Sequence, residues 1–217
     1  MINTLIISGG NIEKQLAFEV LKQPFEHMIA VDGGLRFCYE QGIVPTRIVG
    51  DFDTLEADIL DWYKQHTEIE IREFHPVKDS TDTQIAVELS LELQSESITI
   101  LGGTGTRLDH VFGNVQTMYL ALEKNVPCQM LDPHNRIQLI KGRYCIKKKE
   151  QYGDYFSLIP LTTDVTGVTI RGAKYPLEQH SFSVLGSGSL GVSNEIVDEQ
   201  AEIEIGKGIM ILIESKD

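Results

Sequence analysis

Aspartates gather in two short stretches of this sequence, and glycines with an arginine in a third. Asp51-Phe52-Asp53 follows an apolar run and a glycine. Lys78-Asp79-Ser80-Thr81-Asp82-Thr83 leads into a segment of helical period. An Asp-x-Asp pair just past a buried strand presents two carboxylates to one hard cation, which takes oxygen ligands at ~2.0–2.1 Å if it is Mg²⁺. Asp79 and Asp82 stand three apart, so at a helix start they share a side and complete the cluster. The third stretch, Gly102-Gly103-Thr104-Gly105-Thr106-Arg107-Leu108-Asp109-His110, is a glycine-rich turn entering a helix, and such a turn opens backbone N–H groups to an anion. Arg107 supplies a forked donor that suits phosphate oxygens, and Lys78 a second contact. Neither the Walker A pattern nor Gly-x-Gly-x-x-Gly occurs. Together these residues describe a Mg²⁺-nucleotide site, in which carboxylates hold the cation and the glycine-arginine loop holds the phosphates.

Each residue also has a local alternative. Asp53 is placed to cap the helix from Leu55, with Glu56 as partner. Thr81 and Gln84 form a capping-box pattern, which makes Asp82 a first-turn acid favoured by the helix dipole. Capping and coordination are compatible. Asp109 either orients Arg107 or acts on substrate, and His110 either meets ligand or bonds within its helix. The other histidines (27, 66, 75, 134, 180) show no ligand or triad spacing, and Trp62 lies on the core side of an amphipathic segment.

The elements that must position these residues alternate in period over the first 130 or so residues. Apolar runs at 5–8, 28–31, 47–49, 69–74, 98–101 and 127–131 alternate with helical patterns at 11–22, 35–41, 55–66, 82–93 and 108–124. That alternation predicts βαβ units and a mostly parallel sheet. Ligands of such sheets bind beyond the carboxyl ends of the strands, which is where the aspartates and glycines fall, starting with Asp32-Gly33-Gly34 after the second strand. After residue 132 the helical period disappears. Short runs at 137–140, 144–148, 155–161, 165–170, 182–185, 201–205 and 209–214 predict a smaller all-β sandwich or barrel. The expected organisation is an α/β nucleotide-binding domain over 1–132 and a β domain over 133–217.

The 217 residues carry a net charge of −13, too few cations to neutralise nucleic acid or an anionic membrane. An acidic protein can still hold a nucleotide, because the cation bridges the two negative partners. Three scattered cysteines exclude a disulfide framework and a zinc site and point to a reducing, cytoplasmic compartment. No stretch approaches the ~20 apolar residues of a membrane span, and the N-terminus reads as a strand entering a turn, unlike a signal segment.

Six segments together resemble the thiamine pyrophosphokinase family. They are Asp32-Gly33-Gly34-Leu35-Arg36, Gly50-Asp51-Phe52-Asp53-Thr54, Lys78-Asp79-x-x-Asp82-Thr83-x-x-Ala86, Gly105-Thr106-Arg107-x-Asp109-His110, Gly172-x-Lys174-Tyr175-Pro176-Leu177 and Gly191-Val192-Ser193-Asn194-Glu195. The resemblance implies transfer of the pyrophosphoryl group of ATP to the hydroxyethyl oxygen of thiamine, with AMP leaving. It assigns Asp51, Asp53 and Asp82 to Mg²⁺ with Asp79 nearby. Lys78, Gln84, Gly103, Arg107, Asp109 and His110 fall on the nucleotide side. It places Ser193 and Asn194 in the loop that meets the aminopyrimidine, and Tyr175 where an aromatic ring stacks on the thiamine cation. A proton acceptor is needed, for which Asp82 and Asp109 are the candidates. It further implies a homodimer with the thiamine site at its interface.

Overall fold

The computed structural model describes residues 1–52, 55–73, 80–186 and 190–217. The chain divides into two compact units, Met1–Pro133 and His134–Asp217.

The first unit holds six strands, β1 (Asn3–Ile7), β2 (His27–Val31), β3 (Arg47–Gly50), β4 (Glu70–Glu73), β5 (Ser97–Leu101) and β6 (Cys128–Leu131). Between them run α1 (Lys14–Val20), α2 (Gly33–Gln41), α3 (Ala57–His66), α4 (Asp82–Glu92) and α5 (Leu108–Glu123). The strands lie in the order β4-β3-β2-β1-β5-β6, every neighbouring pair parallel. Leu5, Ile6 and Ile7, like Ile98, Ile100 and Leu101, are buried in unbroken runs, as expected of parallel strands covered on both faces. Parallel pairing puts the carboxyl ends of all six strands at one edge. Chain order runs outward from β1 to β4, then returns to β5 on the other flank of β1, so the direction of winding reverses between β1 and β5.

Helix ends depart by a few residues from the sequence reading. The first helix begins at Lys14, where the Glu13 carboxylate accepts from the N–H groups of Gln15 and Leu16. The second begins at Gly33 and ends on Gly42, whose φ of 66° lets its N–H reach back to the carbonyls of Cys38 and Tyr39. Trp62 and Tyr63 pack edge to face on α3, and no helix among the described residues is long and apolar enough to cross a membrane.

The second unit is a sandwich and not a barrel. Its strands are β7 (Asn135–Ile140), β8 (Arg143–Lys147), β9 (Tyr155–Pro160), β10 (Asp164–Arg171), β11 (Leu177–Ser183), β12 (Gln200–Glu204) and β13 (Met210–Ser215). One antiparallel sheet runs β7-β13-β9 and the other β11-β10-β12-β8. Phe156, Leu158, Met210 and Leu212 of the first meet Val165, Val168, Ile170, Phe182 and Ile203 of the second in one buried cluster. The sequence predicts a strand at 182–185, but β11 starts at Leu177 and residues 184–186 form a turn. A register shift between β10 and β11, with Gln179 at φ 47°, breaks the two-residue alternation that would have revealed the strand. On β13 the fully buried Glu214 is gripped at both oxygens by Arg136 of β7, at 2.8 and 2.7 Å, and accepts a third bond from Tyr152 N–H.

Candidate active site

A cleft of about 330 Å³ opens at the reversal between β1 and β5, the place where the crevice of an open parallel sheet accepts ligands. Four segments of the first unit line it: Ser8–Asn11 after β1, Asp32 and Gly33 after β2, Thr81–Thr83 at the start of α4, and Gly102–Arg107 after β5, with His110 and Asn114 from α5. The two glycine turns interlock. Gly10 N–H donates to Gly102 O and Asn11 N–H to Thr104 O, both at 2.8 Å. A Cβ on Gly10 would lie 2.2 Å from Thr104 O, so only glycine permits this approach. Ser8 Oγ and Thr83 Oγ1 hydrogen-bond at 2.8 Å while buried, which ties the first turn of α4 to the end of β1. Thr81 caps α4 by accepting from Gln84 N–H, as its pattern predicts, whereas α3 begins at Ala57 with Glu56 at its N-cap and not at Leu55 as the Asp53 capping reading expects.

At one end of the cleft, ligand oxygens from Asp32, Asp51 and Asp82 lie within 4.8 Å of one another. Burial pushes the Asp32 carboxyl up to about 7, helped by a hydrogen bond and charge from Asp82 and by the charge of Asp51; the Phe52 N–H opposes the shift. One Asp32 oxygen, Oδ1, is buried and has no hydrogen-bond partner among the described residues. Gly50 makes room for it, since a Cβ there would fall 1.9 Å from that same oxygen. Three converging carboxylates with an unpartnered buried oxygen match the donor set of a hard divalent cation such as Mg²⁺. The sequence places Asp32-Gly33-Gly34 at the ligand edge of the sheet but does not number Asp32 among the residues assigned to the cation. Nothing in Asp-Gly-Gly alone distinguishes a ligand from a turn residue; the parallel pairing of β2 with β3 brings it beside Asp51.

At the other end, Arg107 and Asp109 form a two-point pair, with Nη2–Oδ2 at 2.6 Å and Nε–Oδ1 at 3.3 Å, both side chains largely exposed. The guanidinium holds the Asp109 carboxyl below its usual range. Arg107, Gly103 and His110 line the cleft, whereas Asp109 and Gln84 are not among its lining residues. The Gln84 side chain donates instead to Glu88 at 2.9 Å. Asp53, Lys78 and Asp79 lie outside the described residues. The contribution of Ser8–Asn11 and Asn114 was missed, because small residues and one helical asparagine carry no signature until the strand order is known.

In the second unit the three residues assigned to thiamine are neighbours. Asn194, only 5% exposed, accepts at Oδ1 from the N–H groups of Tyr175 and Glu195 and donates through Nδ2 to Tyr175 O. It therefore clasps the backbone of Tyr175, whose ring is 57% exposed with the Lys174 ammonium 5.7 Å from its centroid. Ser193 sits at φ 58° and donates its N–H to Ser157 Oγ, so the 191–194 turn is laid along β9.

Comparison with known proteins covers both units. A family model described as "Thiamin pyrophosphokinase, catalytic domain" matches residues 18–130, and "Thiamin pyrophosphokinase, vitamin B1 binding domain" matches residues 143–210. The chain is 34% identical to the thiamine pyrophosphokinase of Bacillus subtilis (strain 168) over 220 aligned residues, covering 98% of each. A crystal structure of the Bacillus subtilis enzyme superposes with a TM-score of 0.86 at 32% identity, covering 99% of both chains. One from Geobacillus thermodenitrificans gives 0.83 at 29%, covering 100% of this chain and 98% of the other. With sequence, family and fold agreeing from end to end, the chain belongs to the thiamin pyrophosphokinase family.

Proposed function

We propose that this chain transfers the pyrophosphoryl group of ATP to the hydroxyethyl oxygen of thiamine, giving thiamine diphosphate and AMP, with a divalent cation held by Asp32, Asp51 and Asp82. The observation that carries the reading is one cleft lined by Asp32 and Asp82, with Asp51 beside them, and by a glycine-arginine loop, in a chain of this family. The unpartnered Asp32 oxygen supports Mg²⁺, and Asp53 and Asp79 remain proposed members of the cluster. When bound, the cation neutralises the charge of the phosphates. The chain's own residues do the rest. The 102–107 loop and Arg107 hold the transferred phosphates, with Lys78, Gln84 and His110 assigned to the same nucleotide side.

Asp82 is the better placed proton acceptor of the two candidates, since it lines the cleft. Asp109 is committed to Arg107, and a carboxylate stabilised in its ionised form is a weaker base. Tyr175 offers an exposed ring face to the thiamine cation, Ser193 flanks it, and the Asn194 clasp sets its position. A homodimer is supported by apolar side chains left on the surface: Leu108 and Phe112 one turn apart on α5, and Val184, Leu185, Leu190 and Val192 in the second unit. The test is the nucleotide product from purified protein with ATP, Mg²⁺ and thiamine. AMP in step with thiamine diphosphate is expected; ADP, or no thiamine turnover, removes the reading.

A further inference from the structure

Three consecutive carbonyls of the loop after β5 are tied down from outside it. Gly102 O accepts from Gly10 N–H, Gly103 O from Asn114 Nδ2 and Thr104 O from Asn11 N–H, each at 2.8 Å. In a trans peptide the carbonyl and the next N–H point in opposite directions. Tying these carbonyls therefore turns the N–H groups of Gly103, Thr104 and Gly105 away from the three donors. Those amides find no acceptor among the described residues, although all three residues line the cleft. Buried or half-buried amides without acceptors are costly unless an anion or water takes them.

Two of the ties are backbone groups, so only the third is set by a side chain. Asn114 lies in the middle of α5, is 7% exposed, and itself lines the cleft. A carbonyl only accepts, so the atom facing Gly103 O must be the amide nitrogen. Room to shift is small on the far side of the loop, because a Cβ on Gly103 would meet Met130 Sδ at 2.2 Å.

We infer that Asn114 is a positioning residue: by holding Gly103 O it aims the Thr104 N–H, the middle one of the three amides, at the polyphosphate of the nucleotide, while the two backbone ties aim its neighbours. The inference rests on the proposed reading of 102–107 as the phosphate loop. It requires Asn114 to act on phosphate binding and not on the cation or on thiamine.

The test titrates ¹⁵N-labelled protein, in the presence of Mg²⁺, with inorganic pyrophosphate and separately with a non-hydrolysable ATP analogue. In the unmodified protein the amide resonances of 103–105 shift on titration. Asn114→Leu, which loses the donor at similar size, weakens both ligands about tenfold, the effect of one buried hydrogen bond. Binding of Mg²⁺ alone and the KM for thiamine stay within twofold. Asn114→Ser, which keeps a donor, loses less than Asn114→Leu. The inference is overturned if Asn114→Leu binds both ligands as the unmodified protein does, or if amides 103–105 do not move. Should Asn114→Leu fail to fold, the amide titration and the Asn114→Ser affinities decide it. Failure of the unmodified protein to bind either ligand would instead overturn the phosphate-loop reading, and this inference with it.

Discussion

Ionising a carboxylate that already hydrogen-bonds a second one, with a third close by, costs free energy that a cation returns. Asp32 is in that position, and its carboxyl is raised from 3.8 to about 7. Unfolded, it titrates near the lower value; folded and metal-free, near the higher. Below about pH 4 it is protonated in both states and costs nothing, and the penalty grows between the two values until it is complete above about 7. The difference in Tm between Asp32→Asn and the unmodified protein, both metal-free, is therefore expected to widen in favour of the variant from pH 5 to pH 8. Saturating Mg²⁺ should narrow that gap by stabilising the unmodified protein more than the variant, which lacks one ligand. Scanning fluorimetry at the two pH values, with and without Mg²⁺, measures both effects, and a gap independent of pH would count against the trio. Asp51→Asn and Asp53→Asn are each expected to lower turnover by about 10²-fold or more, the scale of losing one group that organises transition-state charge, with far-UV dichroism unchanged.

Two polar contacts hold elements of the second unit, and the consequences of losing them differ. In the second unit, the buried Glu214 on β13 depends on Arg136 and on Tyr152 N–H, and Arg136 also donates to Glu150 O. Removing one partner leaves the other charge buried, so Arg136→Ala is expected to cost about 3–5 kcal/mol in denaturant unfolding. Replacing the pair together with well-packed apolar residues should cost much less. The Asn194 clasp works on a single turn. Asn194→Ala frees the Tyr175 backbone at two hydrogen bonds and the Glu195 N–H at a third, and the expected result is a KM for thiamine raised about tenfold with the KM for ATP nearly unchanged. Steady-state kinetics varying each substrate in turn separates this outcome from general destabilisation, which would not single out one substrate.

At the scale of the molecule, the proposed dimer rests on exposed apolar side chains: Leu108 and Phe112 on α5, and Val184, Leu185, Leu190 and Val192 in the second unit. Phe112, 66% exposed, is the most accessible large ring on its helix. Phe112→Asp is expected to shift the mass measured by light scattering from dimer toward monomer while leaving Mg²⁺ binding intact. A monomeric unmodified protein with full activity would remove the dimer from the proposal.

The sequence by itself determined the class of the fold and the kinds of residue gathered at one edge of the sheet. Period is a local property, so alternating strands and helices announce a parallel sheet before any contact is known. The carboxyl end of each strand then tells where Asp51, Asp82, Gly103 and Arg107 must lie. The β half was legible as strands but not as a sandwich, because two facing sheets and a closed barrel share the same period. Only the tertiary structure decided which residues meet. Winding outward from β1 to β4 and back to β5 placed the Ser8–Asn11 turn against the glycine loop, and parallel pairing of β2 with β3 added Asp32 to the carboxylates. Spacing along the chain does not encode those encounters. They arise from sheet order, which is set by the burial of many apolar side chains at once.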